Sequence, residues 1–548
     1  MRLAGMRKVL VAAVAGLALA ASAARAQAIW SSESSYPVRG GNQVRIMVDG
    51  ETAFADIVKS MDRAQSYIYV TFAFLELDFR PVPPDTRTIR DILAQAAQRG
   101  VDVRVVIWSS PGDFGNTVPE PKQPIPGFNG GPGTVQARWD VAKGKGIYPA
   151  KIGCHHQKSF MMDSPTGDIA YVGGMNSLQS FWDTSQHDPA DPRRLRVSGP
   201  NKKVGAPVPP LHDLFASIHG PVTQDVISNF RERYNQATFR HTDATQDLPP
   251  AHPEPADGVN DETQLQLVRT IAPKTYPSLP NGERSIREAY LKAIASARQL
   301  IYIEDQYLFD TEVIRALRAA AQRGVKVIAL LTRNPNSSST VGLAIRIIEN
   351  ARQTAAGLLR QSSQNIAVYT PVIAAPDATD PAKFTYHDIY VHAKDMIVDD
   401  RFVTLGSANL STMSLEFHSE LNILLNDPVG AQDLRARLWA EHLQLDHIDP
   451  AVMADPAAGF LLWRQHAEAN VAAWKAQAKP LSRVFPEHLF SPWSATPTAH
   501  ASDTRVADAS ADAAGAEVAV GSDAQPAVAD GDPDGAIVLG DDGAPQPE

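Results

Sequence analysis

The sequence predicts an α/β protein of two similar halves, each a mixed β-sheet flanked by helices, packed about a pseudo-twofold axis around one shared site. Three observations predict it. The order helix, strand, helix, strand over residues 54–108 recurs over 286–331. A His-x-Lys-x4-Asp pattern occurs twice, at His156, Lys158 and Asp163 and at His392, Lys394 and Asp399. An acidic residue, a strand, a turn with proline and a helix also occur twice, from Asp213 to Tyr234 and from Glu420 to His442. Roughly a few hundredths of a match to the motif would arise by chance in a chain of this composition, so two matches carry weight.

Arg2, Arg7 and Lys8 precede an apolar run, Val9 to Ala20, and small residues follow at Ala24-Arg25-Ala26 and Ala26-Gln27-Ala28. This pattern reads as an export signal over residues 1–26, too short to span a bilayer. No later stretch is long and apolar enough for a membrane span, so an exported chain, periplasmic or secreted, is expected. The first half is placed at 27–245. In it Ile57, Met61 and Ala64 space a helix face, Tyr67 to Phe74 is β-rich, 89–99 is helical, and Val101 to Trp108 is a buried strand. The second half, 271–495, repeats them: helix 286–298, strand Leu300–Asp305, helix 312–323 and strand Val325–Leu331. The helix ends match closely, Ala97-Gln-Arg-Gly-Val101 against Ala321-Gln-Arg-Gly-Val325.

Residues 110–150 and 185–211 are dense in Pro and Gly and read as lids or binding loops. A linker is placed at 246–270. Residues 336–388 read as one helix, 341–358, and a loop leading to the second motif. From 496 to 548 the chain is Ala, Asp, Gly and Pro without Phe, Trp or Tyr, and a disordered acidic tail is expected.

The net charge of −10 is unevenly placed. The tail carries −10 and the signal +4, which leaves the body at −4. Such a body lacks the basic field of a dedicated nucleic-acid binder. The one cysteine, Cys154, excludes an internal disulfide and reads as a small residue packed at a strand start.

Around the second motif, Met396–Val398 and Phe402–Leu405 are short apolar runs joined by Asp399 and Asp400, a strand, tight turn and return strand. His392 and Lys394 lie two apart, so on a strand they share a face at about 6–7 Å. Each motif is followed by a glycine-led run ending in asparagine, Gly173-Gly174-Met175-Asn176 and Gly406-Ser407-Ala408-Asn409. Two imidazoles, two lysines and two asparagine amides are what phosphodiester cleavage requires: a nucleophile, an acid for the departing oxygen, and donors around the phosphate. Lys158, Asn176, Lys394, Ser407 and Asn409 are the candidate phosphate-binding residues. Asp163 and Asp399 lie seven residues past their histidines, about 23 Å along a strand and on the opposite face. They read as structural turn residues, with Gly173, Gly174 and Gly406 structural as well. The strand-mouth acids Asp213 and Glu420 are better partners for the imidazoles, fixing the tautomer and favouring the protonated form. No metal or other cofactor is expected, since no HExxH or carboxylate cluster is present.

These motifs resemble the phospholipase D superfamily, whose two His-Lys-Asp motifs build one phosphodiester-cleaving site. Further runs resemble the eukaryotic-type members: His155-His-Gln-Lys158, Trp182-Asp-Thr184, Leu211-His-Asp-Leu214, Glu283 to Tyr290, Tyr302-Ile-Glu-Asp-Gln-Tyr307 and Ile389 to Lys394. The likeness covers roughly residues 50–445. It has no calcium-dependent or phosphoinositide-binding domain ahead of residue 50. After Asn409 the chain reads Leu-Ser-Thr-Met-Ser-Leu rather than the Asn-Gln-Arg-Ser run usual in that group.

Spacing alone leaves open which histidine attacks, because the halves are nearly symmetric. The resemblance implies His156 as nucleophile, forming a phosphohistidine, and His392 as general acid and then base. It implies hydrolysis of phosphatidylcholine-like lipids to phosphatidic acid and alcohol, with transfer to other alcohols. Alternative readings are a periplasmic nucleic-acid phosphodiesterase and an exported lipid-binding protein with a dead site. The expected partner is phospholipid at a membrane surface, with no stable nucleic-acid partner, and a monomer is expected. Phe114, Tyr148, Phe181 and Trp182 are candidates for an acyl entrance or for core aromatics.

Overall fold

The apolar runs of both halves become strands of two mixed sheets. A computed structural model describes residues 29–108, 125, 127–140, 153–195, 205, 208–237, 239–240, 247–249, 263–333 and 342–490. The expected export signal, the acidic tail, most of the 110–150 and 246–270 stretches, Phe114 and Tyr148 lie outside the described residues.

The first sheet has eight strands. Seven run, in spatial order, Gln136–Asp140, Asp102–Trp108, Tyr67–Phe72, Ser159–Met162, Ile169–Gly173, Leu214–His219 and Gln43–Val48. The second sheet has eleven strands, and seven of them repeat that order: Ile366–Pro376, Lys326–Leu331, Leu300–Asp305, Lys394–Val398, Phe402–Gly406, Glu420–Asn426 and Gln264–Ile271. The first three strands of each series pair in parallel. The remaining pairs in each series are antiparallel. The internal duplication is thus a duplicated sheet topology.

Helices Asp49–Arg63 and Ile89–Gln98 belong to the first series, Ser285–Ser296 and Thr311–Gln322 to the second. Thr88 starts one with a capping box to Asp91, and Asp310 starts another by accepting from the Glu312 and Val313 amides. The repeated Gln-Arg-Gly stop has a backbone cause. Gly100 and Gly324 take φ of 93° and 96°, a conformation costly for residues with a Cβ.

The loop expected over most of 336–388 holds two strands, Ile366–Pro376 and Phe384–Asp388. Pro371 marks the point where the first of them leaves the parallel partner Lys326–Leu331 and turns to pair with Phe384–Asp388. The proline and the alanines of this run hid its strand character. Gln136–Asp140, inside the other expected loop, is its counterpart at the matching sheet position.

Between the sheets, one hydrophobic cluster takes Val172, Leu214 and Phe230 from the first half together with Leu267, Leu405, Leu421 and Trp439 from the second. Val38–Arg39 crosses to pair with Gln264–Ile271, and Ile29 packs in the second half's core. The described residues belong to a single compact unit. Among them no helix is long and apolar enough to cross a membrane.

Candidate active site

Each motif histidine is carried just ahead of a central strand, Ser159–Met162 or Lys394–Val398. The backbone of one half holds the histidine of the other. The amide of His156 donates to Ser419 O at 2.8 Å, and the amide of His392 donates to His212 O at 2.8 Å. Ser419 and His212 each immediately precede the strand-mouth acid, so each acid arrives beside the partner half's imidazole. His156 Nδ1 lies 3.0 and 3.1 Å from the Glu420 oxygens, and His392 Nδ1 lies 2.7 Å from Asp213 Oδ2. The acids are therefore exchanged between halves, a relation that no local spacing reveals.

This exchange fixes the tautomers. The third partner of His156 Nδ1 is Ser407 O at 3.1 Å, and carbonyls and carboxylates can only accept. The proton sits on Nδ1, which leaves the Nε2 lone pair for chemistry. The two rings lie 6.4 Å apart between centroids, inclined by 65°. That separation suits one phosphoryl group between them.

Lys158 and Lys394 are buried beside the histidines. Lys158 Nζ donates to His156 O at 2.8 Å; Lys394 Nζ donates to His392 O and, at 3.2 Å, to Gln306 Oε1. Burial pushes Lys158 down to about 7 and Lys394 down to about 8 against the pull of nearby carboxylates. Asn176 and Asn409 are buried, and each amide oxygen lacks a hydrogen-bond partner among the described residues.

Burial also pushes His156 down to about 4 despite Glu420, and it holds His392 well below the ordinary imidazole value, with Lys394 and Lys158 adding to the effect. The sequence reading expected the acids to favour protonated imidazoles. Desolvation outweighs them. Although burial opposes it, His156 and then His418 hold Glu420 below the ordinary carboxylate range. Burial instead pushes Asp213 up to about 7.

Ser407 differs from expectation. Its hydroxyl donates to Glu420 Oε2 at 2.6 Å and accepts from the Leu421 amide at 3.0 Å, which engages it on the acid rather than leaving it for phosphate. The matching position in the first half is Gly174, where a Cβ would stand 2.2 Å from Asp213 Oδ1. A serine fits beside Glu420; only glycine fits beside Asp213.

Asp163 accepts from the amides of Gln65, Ser66 and Tyr67, and Asp399 accepts from those of Arg298, Gln299 and Leu300. Both carboxylates pin the start of a neighbouring strand. Asp399 and Asp400 both take positive φ, 53° and 49°, the backbone of a tight hairpin turn. Phe181 is half-buried with its ring edge-on to His392 at 4.7 Å, whereas Trp182 is buried in the core with Arg193 over its ring.

Sequence reasoning missed two groups. His418 lies beside His156, with ring centroids 6.1 Å apart. The signal for it was the mismatch between His418-Ser-Glu420 and the aligned Leu211-His-Asp213. The other is a buried cluster of acids and imidazoles. Asp49, His187, His212 and Glu441 bring one ligand atom each within 4.8 Å, a set able to hold a divalent cation. Asp49 already has imidazole partners there: its Oδ1 lies 3.0 Å from His212 Nδ1 and its Oδ2 lies 3.8 Å from His187 Nε2. The same groups also pair directly, His187 with Glu441 at 3.0 Å and His212 with Glu304 at 2.8 Å. Although burial works against it, Asp49, Asp183 and Glu441 push His187 up to about 9.

A family model described as phospholipase D matches residues 60–322, and one described as cardiolipin synthase, PLD-like domain, matches 290–441. Phospholipase D A of Dictyostelium discoideum is 25% identical over 483 residues, covering 75% of this chain and 36% of that protein. Phospholipase D alpha 1 of Carica papaya is 23% identical over 546 residues, covering 74% of this chain and 65% of its own length. This chain thus spans about a third of the first relative and just under two thirds of the second. The crystal structure of phosphatidylserine synthase from Haemophilus influenzae aligns over 79% of this chain and 94% of its own, at 14% identity and a TM-score of 0.49.

Proposed function

We propose that this chain, which belongs to the phospholipase D superfamily, hydrolyses the headgroup phosphodiester of glycerophospholipids of the phosphatidylcholine type, releasing phosphatidic acid and the headgroup alcohol. The reading is carried by one observation: two buried imidazoles face each other at 6.4 Å, each with its Nδ1 proton held by the other half's carboxylate.

In the first step His156 Nε2 attacks phosphorus and the bond from phosphorus to the headgroup oxygen breaks. That oxygen leaves with the Nε2 proton of His392, an imidazolium in the substrate complex because the bound phosphate anion favours its charged form, and His392 is left neutral. In the second step His392 takes a proton from water or an alcohol, whose oxygen attacks phosphorus while the phosphorus–nitrogen bond to His156 breaks. Lys158, Lys394, Asn176 and Asn409 surround the non-bridging oxygens and stabilise the charge that develops there. Because Lys158 and Lys394 titrate near 7 and 8, an arriving phosphate anion holds both ammonium groups charged.

The unequal half-sites favour His156 as the nucleophile. Glu420 spreads its charge over His156 and Ser407 and stands beside His418, so its pull on the His156 proton is diluted. Asp213 holds His392 by one shorter bond, suited to the group that carries the mobile proton. Export through residues 1–26 and action as a monomer belong to the same proposal. Transfer between lipids is a second reading, favoured by the match of 290–441 to the cardiolipin synthase description.

The test incubates purified protein with phosphatidylcholine and ethanol, with phosphatidylglycerol alone, and with plasmid DNA. Phosphatidylethanol with free choline supports the proposal, and cardiolipin supports lipid-to-lipid transfer. Nicked DNA without lipid turnover selects a nuclease and overturns it. No turnover of any substrate selects a non-catalytic protein.

A further inference from the structure

His418 is the third imidazole at the site, and its placement is rigid. The adjoining residue, Ser419, is tied to the His156 segment by two backbone bonds: Ser419 donates to Cys154 O at 2.9 Å and His156 donates to Ser419 O at 2.8 Å. On the other side His418 ends the one-turn π-helix Met413–Phe417, its amide donating to Met413 O at 2.9 Å. Such turns often occur at functional sites. Glu416 in that turn pairs with Arg284 at 2.5 Å and with Arg287, which anchors the turn to helix Ser285–Ser296.

The His418 ring is thus held 6.1 Å from the His156 ring, with Nδ1 at 3.5 Å from Glu420 Oε1. That nitrogen is buried and has no hydrogen-bond partner among the described residues, and a small ring rotation would bring it onto the carboxylate. The corresponding position in the other half is Leu211, which has no donor to offer Asp213. The ionisable groups shown to face the His418 ring are Glu420 and His156, with Glu416 and its two arginines in the supporting turn.

We propose that His418 is a positioning residue for His156: by taking a share of the Glu420 carboxylate, it weakens the acid's hold on the His156 proton and extends to lower pH the range over which that imidazole is neutral and able to attack. This role rests on the phosphodiesterase reading above and deepens it. A donor in place of Nδ1 should suffice, and an apolar side chain should not.

The experiment compares the full chain with His418→Asn, whose amide nitrogen sits near the Nδ1 position, and with His418→Leu, the residue of the matching position. His418→Phe keeps the ring volume and gives the same readout should the leucine variant fail to fold. The His156 ring titration is followed by NMR on isotope-labelled protein, and kcat/KM against pH is followed with a short-chain phosphatidylcholine. In the apolar variants the His156 midpoint and the acid limb of kcat/KM should rise together by about one pH unit, a tenfold gain in proton affinity. His418→Asn should stay near the wild type. Unchanged midpoints in the apolar variants, or the same rise in His418→Asn, overturn the proposal. The ring titration needs no turnover, so an inactive wild type would remove the phosphodiesterase reading while leaving the role of His418 to be decided by the midpoints.

Discussion

Asp213 grips His392 with one bond of 2.7 Å, while Glu420 meets His156 at 3.0 and 3.1 Å and also accepts from Ser407. The two half-sites come from one repeated topology and exchange their acids reciprocally, yet they differ in what each carboxylate serves beside its imidazole: Asp213 Oδ1 accepts from the Leu214 amide at 2.8 Å, and Glu420 Oε2 accepts from the Ser407 hydroxyl at 2.6 Å. Duplication supplies two equivalent imidazoles, and small changes around the acids make their surroundings unequal, which is the basis of the separate roles proposed for them. The glycine at 174 and the serine at 407 are one such change.

The largest effect should come from removing either ring. His156→Ala and His392→Ala should each lower kcat by about 10⁴-fold or more, since groups that act as a unit fail together. Substantial residual turnover in one variant would break the pairing of the half-sites.

Replacing the acids should sharpen the comparison. Asp213→Asn should cost about 10³–10⁴-fold in kcat, because Asp213 is the side-chain acceptor at His392 Nδ1 and an amide can reverse the tautomer. Glu420→Gln should cost about tenfold less, since His156 Nδ1 keeps Ser407 O. Equal losses would remove the asymmetry.

The pH profile of kcat/KM should be bell-shaped. Activity falls on the acid side as His156 protonates and on the alkaline side as Lys158 and Lys394, near 7 and 8, lose charge. For stability the sign follows from His156 being lowered to about 4 from 6.5. The unfolded chain binds this proton more readily, so the stabilisation is complete above about 6.5 and is lost as pH falls through about 4. A flat activity profile from about pH 5 to 9 would count against the pair.

The smallest effect on catalysis is expected at the motif aspartates. Asp163→Ala and Asp399→Ala each leave three strand-start amides without their acceptor and should lower stability by about 1–3 kcal/mol in denaturant titration. Near-wild-type kcat in the folded variants would separate their part of the motif from the chemistry.

Much of this arrangement was legible in the sequence, for reasons particular residues show. Repetition exposed the helices that stop at Gly100 and Gly324 and the acids Asp213 and Glu420, because each residue type was seen twice in one context. The exchange of acids was not legible, since Asp213 meets His392 across 179 positions and no local spacing encodes such a contact. Ile366–Pro376 was hidden because its proline signals a break, whereas the structure uses that break to change partners. The cluster of Asp49, His187, His212 and Glu441 escaped notice because its members are scattered along nearly the whole described chain. His418 escaped because attention to what the halves share passes over what only one of them has.

The central claim is that His156 and His392 act on one phosphorus atom in unequal roles. Acid-free quenching of the His392→Ala variant with a phosphatidyl ester of p-nitrophenol, whose leaving group needs no proton, followed by peptide mass spectrometry, tests it most directly. A phosphatidyl adduct on residue 156, with a burst of one p-nitrophenolate per chain, is the predicted result. An adduct on residue 392 in the reciprocal His156→Ala variant, with none on 156, would contradict the account.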